Sequence, residues 1–216
     1  MKAYSILGDF YHKHDFVYPS VQKAADLAGV TLVDCPVTEI EKAIDANPEI
    51  IIMACENRVN PEDEKIDLWL TDEIDEKITS YVKNGGSFIA IHAALASYPT
   101  DSKYIDMVKG YFVDHPPEHY NVRYTSKEQL PSSKDPAPVD YTVLDEHYVL
   151  NVDTANTNVF LTLSSDYGEG NAGWYHNYGK GKVIAVAPTH NKAGFEHPET
   201  IRLYKEAILW AKEASI

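Results

Sequence analysis

The sequence predicts an α/β fold in which a mostly parallel sheet carries helices on both faces, within a single domain spanning residues 1–216. Three observations carry this. Ile50-Ile51-Ile52-Met53-Ala54 and Phe88-Ile89-Ala90-Ile91 are unbroken apolar runs of strand length. A strand without polar alternation is buried on both faces, as in a parallel sheet. Between the two runs lies a helical pattern, and strand–helix alternation of this kind places helices over a parallel sheet.

Taken in order, Ala3 to Leu7 reads as a strand ending at Gly8 and Asp9. Tyr18 to Ala28 reads as a helix opened by Pro19 and stopped by Gly29. Thr31 to Val33 is a second strand and Glu39 to Ala46 a short helix. After the Ile50 run comes the clearest helix. Thr71 can cap it, Asp72 and Glu73 suit its positive end, and Ile74, Ile78, Tyr81 and Val82 share one face. Asn84-Gly85-Gly86 stops it. The second half is less regular. Residues 131–138, PSSKDPAP, read as a loop. Asn158 to Leu163 and Gly173 to Tyr178 read as strands, and Gly179-Lys180-Gly181-Lys182 as a hairpin turn into a buried strand, Val183 to Ala187. A helix from about Pro198 to Lys212 closes the chain, with Ile201, Tyr204, Ile208 and Ala211 on one face.

The length, 216 residues, suits one domain and buries about 70% of the extended surface, so the core needs no staples. Lys plus Arg number 19 against 33 Asp plus Glu, a net charge of −14. That balance argues against nucleic acid or an anionic membrane as partner, since both reward cationic patches. No apolar run reaches the ~20 residues that span a bilayer, and the N-terminus lacks a signal-peptide core. The only cysteines, Cys35 and Cys55, form neither a disulfide framework nor a CxxC, so a reducing cytoplasm is the expected location.

In open α/β sheets, ligands bind at the carboxyl ends of the parallel strands. The residues following each strand there are Asp9, Tyr11, His12, His14 and Asp15; then Glu56, Asn57 and Arg58; then His92; then Thr189, His190 and Asn191. Ionisable groups thus gather at one edge. His92 stands out because it precedes Ala93-Ala94. Small residues after a strand permit the tight turn of a nucleophile elbow, here with an imidazole in the nucleophile position. Imidazole serves as acid, base or metal ligand near neutral pH; the alternative is a buried histidine bonded to backbone. His115, before Pro116-Pro117, and the Asp145-Glu146 pair are further acid/base candidates, each with a plain loop or surface reading beside it. Trp174, Tyr175 and His176 offer rings with polar tips suited to a sugar face, or a strand with one face in the core. Cys55 lacks the flanking residues of an elbow. No GxxxxGK[ST] or GxSxG is present, and no phosphate cradle is expected.

His, Asp and Glu suit zinc or manganese, so a divalent metal is the cofactor these residues could hold. No compact motif such as HExxH is present, and only the fold could unite the candidates.

These pieces together resemble the ThuA-like family of trehalose utilisation. The resemblance runs through most of the chain and is best from about Leu70 to Trp210. It is carried by Leu70-Thr71-Asp72-Glu73, Asn84-Gly85-Gly86-Ser87-Phe88-Ile89-Ala90-Ile91-His92-Ala93-Ala94, Gly110-Tyr111-Phe112 with His115-Pro116-Pro117, Asp145-Glu146-His147-Tyr148, Trp174 to Val183 and His190. It implies a flavodoxin-like three-layer sandwich similar to class I glutamine amidotransferases. His92 stands where those enzymes carry a cysteine, so glutamine hydrolysis is not expected. His147 replaces a usual aliphatic residue, and PSSKDPAP lacks a usual His-Pro-Ile-type segment. The expected function is carbohydrate catabolism on a disaccharide or keto-sugar. Catalysis would fall to His92, His115, Glu146 and His190, and ligand binding to Asp9, His12, His14, Asn57, Asp145, Trp174, Tyr175 and His176. The expected partner is a small-molecule sugar, with a homodimer as the assembly. The rival readings are a non-catalytic sugar-binding or accessory protein and a zinc-dependent hydrolase.

Overall fold

A computed structural model gives the structure and describes residues 1–128, 130 and 137–213. Among these, eleven strands and six α-helices form around a nine-stranded sheet. Strands β1 (Lys2–Leu7), β2 (Thr31–Asp34), β3 (Ile50–Ala54) and β4 (Ser87–Ile91) belong to the regular first half. Strands β5 (Gly110–Asp114), β6 (Tyr120–Ser126), β7 (Asp140–Asp145), β8 (Val149–Val152), β9 (Asn158–Ser165), β10 (Gly168–Tyr178) and β11 (Gly181–Val186) follow. The helices are α1 (His14–Ala28), α2 (Ile40–Asp45), α3 (Asp72–Lys83), α4 (Lys103–Val108), α5 (Lys192–Phe195) and α6 (Pro198–Lys212).

The strand order is β2-β1-β3-β4-β11-β10-β9-β6-β7. Pairings from β2 to β11 are parallel, and those from β11 to β7 antiparallel. Strands β5 and β8 pair separately. Alternation within the buried strands splits the core in two. Ile50, Ile52, Ile89, Ile91, Ile184 and Val186 face α1 and α6, while Ile51, Met53, Phe88, Ala90, Val183 and Ala185 face α2, α3 and α4.

Helix α3 starts where expected, with Thr71 Oγ1 accepting from Ile74 N at 3.3 Å. The β10–β11 hairpin and α6 also lie where the sequence puts them. Helix α1 starts earlier, at His14, so Pro19 falls inside it. Residues Phe16 and Val17 already donate to the Lys13 carbonyl, so the turn is formed upstream of the proline. Strands β5 to β8 and helices α4 and α5 are not read from the sequence, because no unbroken apolar run or clear helical stripe marks them. Their buried positions, such as Val122 and Tyr124 in β6, alternate with exposed ones. Residues 131–136 of the expected proline-rich loop lie outside the described residues. The run Gly168–Gly173 has the glycine spacing GxGxxG. It lies within antiparallel β10 rather than at a strand-to-helix turn, so it forms no phosphate cradle of that kind. Among the described residues, no helix is long and apolar enough to cross a membrane.

Candidate functional site

The carboxyl ends of β1, β3, β4 and β11 meet at one rim. Gly8, at φ +84°, turns the chain out of β1, and a Cβ there would approach His14 N to 2.7 Å. The turn brings Asp9 back over the sheet. Its carboxylate accepts from Glu56 N at 2.9 Å and from His12 N at 2.8 Å, and it holds His12 Nδ1 at 2.8 Å. Burial would raise the Asp9 carboxyl, but the hydrogen bond and charge of His12 and two backbone N–H groups take it below its ordinary value.

His92 leaves β4 at φ +41°, a left-handed backbone uncommon outside glycine, and opens a 3-10 turn to Leu95. This is the expected elbow geometry. The imidazole is buried, its Nδ1 stands 2.7 Å from the Ala187 carbonyl, and its ring stacks on Tyr148 at 4.2 Å. Only an N–H can satisfy a carbonyl, so Nδ1 carries the proton and donates. His92 Nε2 has no hydrogen-bond partner; Glu146 Oε2 lies 3.5 Å away.

Glu146 follows β7 and reaches back to the parallel strand ends. Its carboxylate has three imidazole neighbours: His190 Nδ1 at 3.3 Å, His92 Nε2 at 3.5 Å and His115 Nε2 at 3.6 Å. Burial pushes its pKa up, but His92, with the charges of His190 and His115, brings it down to about 2. Burial likewise works against protonating His92, yet Glu146 outweighs it and the pKa lies above the ordinary value. His190 is lowered to about 4, first by burial and then by the charge of His92. Beneath this group Asp145, wholly buried, accepts from Thr189 Oγ1 at 2.6 Å, Tyr124 OH at 2.9 Å and His190 N at 2.9 Å. That carboxylate pins the segment carrying His190.

Above lies a cavity of about 290 Å³ lined by Tyr11, His12, Glu56, Arg58, Ser97, Phe112, His115, Glu146, Tyr148 and His190, among others. Its far wall is a second buried carboxylate: Glu56 Oε2 accepts from Arg58 Nε at 2.8 Å and from Ser97 Oγ at 2.7 Å. The site is thus acidic at two walls and basic between them.

The sequence model of the ThuA family, described as trehalose utilisation, matches residues 55–211, more than half of the chain. The chain belongs to the ThuA family. A ThuA-like protein from Parabacteroides merdae superposes with a TM-score of 0.69 at 15% identity, covering 100% of this chain and 92% of that one. One from Bacteroides uniformis gives 0.68 at 15%, covering 98% and 91%. A β-galactosidase from Rahnella sp. R3 gives 0.64 at 13%, covering 96% of this chain but 31% of that one. At these identities the likeness is one of fold. No curated protein matches the chain.

In this ThuA-family protein the fold brings Asp9, His12, His92, His115, Asp145, Glu146 and His190 together. It does not bring the other expected residues there. His14 points to the β2 side, with Nε2 2.8 Å from Asp34. Asn57 is spent on structure, accepting from Leu70 N at 3.0 Å and donating to Ser97 O at 3.3 Å. Trp174 is wholly buried and donates to Val108 O at 2.8 Å, and His176 Nε2 meets Met107 O at 2.9 Å. Tyr175 packs on Trp210 from the opposite face. The three follow one another inside β10, between β9 and β11, so the sheet's two covered faces take them up. Glu56 and Arg58 fall at the strand end as read, although nothing in sequence singles them out. Ser97 carries no sequence signal and is placed by a left-handed turn at φ +67°; Tyr148 belongs to a segment of the family resemblance but is given no site role there, and its ring contact with His92 brings it to the site.

Proposed function

We propose that this protein is an enzyme of carbohydrate catabolism that acts on a disaccharide or keto-sugar in the cavity above Glu146. One observation carries the reading: a buried carboxylate ringed by three imidazoles at the floor of a ligand-sized cavity. The family's description supplies the substrate class. The rings of Tyr11, Phe112 and Tyr148 suit a sugar face, and the Glu56–Arg58 pair suits its hydroxyls.

The chemistry that fits is proton abstraction beside a carbonyl. His115 Nδ1 stands 2.8 Å from the Pro116 carbonyl, which sets the tautomer and leaves Nε2 to accept a proton. His115 Nε2 takes the proton from the carbon next to the ketone. The C–H pair becomes the enolate double bond, and the carbonyl pair moves to oxygen. When the carbonyl re-forms, the β C–O bond breaks, and its oxygen takes the proton back from His115. Glu146 steadies the imidazolium between the two steps. His190 and His92 lie on the other side of the carboxylate, where the carbonyl oxygen would be polarised.

His92 at the elbow in place of a thiol, and a buried Cys55 whose pKa burial pushes well above 9, weigh against thiol-based glutamine hydrolysis. The parallel strands run β2-β1-β3-β4-β11, the flavodoxin-like order, which supports that finer class. A cytoplasmic location is supported by two free buried cysteines and by a structural relative from Salmonella typhimurium described as a cytoplasmic protein. The homodimer rests on the general preference of soluble enzymes.

The test is to incubate the protein with disaccharides and their keto derivatives and follow released sugar by NMR. Turnover of a keto-sugar that falls about 100-fold or more in both His115→Ala and Glu146→Gln is expected. Turnover untouched by both changes sinks the mechanism. Saturable sugar binding with no turnover would favour a sugar-binding module. That rival draws on the β-galactosidase, where the same fold spans under a third of the chain.

A further inference from the structure

The cluster behind the cavity has a feature that acid/base chemistry leaves unexplained. One ring nitrogen each of His12, His92 and His190 lie within 4.8 Å of one another, and His12 Nε2 stands 3.0 Å from His190 Nδ1. In His12 and His92 the other ring nitrogen is occupied by an outer partner. His12 Nδ1 is held by the Asp9 carboxylate at 2.8 and 3.0 Å, and His92 Nδ1 donates to the Ala187 carbonyl at 2.7 Å. Each outer acceptor fixes the proton of the neutral ring on Nδ1 and so turns that ring's Nε2 lone pair inward. Two inward lone pairs need something positive to share, and only His190 can supply one N–H. His92 Nε2 is left buried with no hydrogen-bond partner. Such an orphan calls for an explanation.

A divalent cation supplies it. Metal-bound histidines characteristically give their second N–H to a carboxylate or a backbone carbonyl, and these two have one of each. Three imidazoles beside a carboxylate suit zinc first among first-row ions, with an open position toward the cavity. Zn–N bonds of about 2.0–2.1 Å accommodate the His12–His190 pair as it stands. His190, with 22% of its side chain exposed, has room to turn in. Glu146, 3.3 Å from His190 Nδ1, is placed to be a fourth ligand or to hold a metal-bound water.

We infer that His12, His92 and His190 form a binding site for one divalent transition metal ion, zinc or a close relative, with Asp9 and the Ala187 carbonyl as the outer groups that orient it. This deepens the proposed function by giving the carbonyl-polarising side a Lewis acid, but its test needs no substrate.

The full chain is stripped with chelator, dialysed, and titrated with Zn²⁺ or Co²⁺ by calorimetry and visible spectroscopy. One metal per chain is expected, with the d–d bands of a four- or five-coordinate Co²⁺ ion. His190→Ala and His92→Asn should abolish the bands, with folding checked by circular dichroism. Asp9→Asn should keep one site but weaken it about 10–100-fold. His14→Ala, an imidazole outside the cluster, should change nothing. A wild-type protein that binds no Co²⁺, or binds it equally well in His190→Ala, overturns the inference. Keto-sugar turnover by a protein that binds no Co²⁺ would overturn it while leaving the proposed function standing. Stoichiometric metal with no sugar turnover would do the reverse.

Discussion

Asp145 and His190 lie 45 positions apart in sequence, yet the Asp145 carboxylate accepts a hydrogen bond from the His190 backbone N–H at 2.9 Å. The same carboxylate takes the hydroxyls of Thr189 and Tyr124. One buried charge therefore fixes the end of the last parallel strand against the outermost antiparallel one. The pocket between them has its shape because of this bond.

Loss of that carboxylate should be felt in stability first. Asp145→Leu leaves three buried donors unmet and should cost at least about 3 kcal/mol. Thr189→Val removes one donor and should cost about 1–2 kcal/mol. Urea denaturation of both variants measures this, and equal midpoints for Thr189→Val and wild type would refute the bond's role.

Trp174 should behave as a core residue and not as a sugar platform. Trp174→Phe leaves the Val108 carbonyl without its donor and opens space beside α4, for about 2–3 kcal/mol. Sugar affinity should stay within about twofold, because the ring is wholly enclosed between sheet and helix. A large fall in affinity at unchanged stability would contradict this placement.

The elbow at His92 should be sensitive to backbone preference independently of chemistry. A left-handed non-glycine residue costs about 1–3 kcal/mol. Asparagine tolerates that conformation and valine does not. His92→Val should therefore be less stable than His92→Asn by about 1–2 kcal/mol, although both lack the imidazole. Coincident unfolding curves for the two variants would rule out a backbone contribution.

His176 gives the pH dependence a direction. Burial holds its pKa below the ordinary 6.5. As pH falls through 6.5, the unfolded chain takes up a proton that the folded His176 refuses. Its contribution to stability is therefore full above that value and declines below it. His147, lowered by burial as well, adds the same sign. Between about pH 7.5 and 5.5, His176→Leu should lose stability less steeply than wild type. Parallel slopes in urea titrations would assign the dependence elsewhere.

Much of the fold was legible locally. The Ile50 and Phe88 runs announced strands buried on both faces, and Thr71, Gly85 and Pro198 marked helix ends, because these signals depend on neighbours in sequence. The rule that ligands meet the carboxyl ends of parallel strands then pointed to Asp9, His12, His92 and His190 before any coordinates. Sequence could not separate Trp174 to His176 from a sugar platform, since a ring suits a core as well as a ligand. Strand β10 runs between two neighbours, and that position alone decided it.

By itself, the sequence determined the alternation of buried strands and helices and the residue types gathered at one rim, since both follow from periodicity and strand ends. Only the tertiary structure decided which of those residues meet. Glu146 faces His92 across 54 positions of chain, and His12 faces His190 across 178. Contacts at that separation are set by strand order and sheet curvature, which no local pattern encodes. The same packing chose the tautomers, because Asp9 and the Ala187 carbonyl reach His12 and His92 only once the strands are paired.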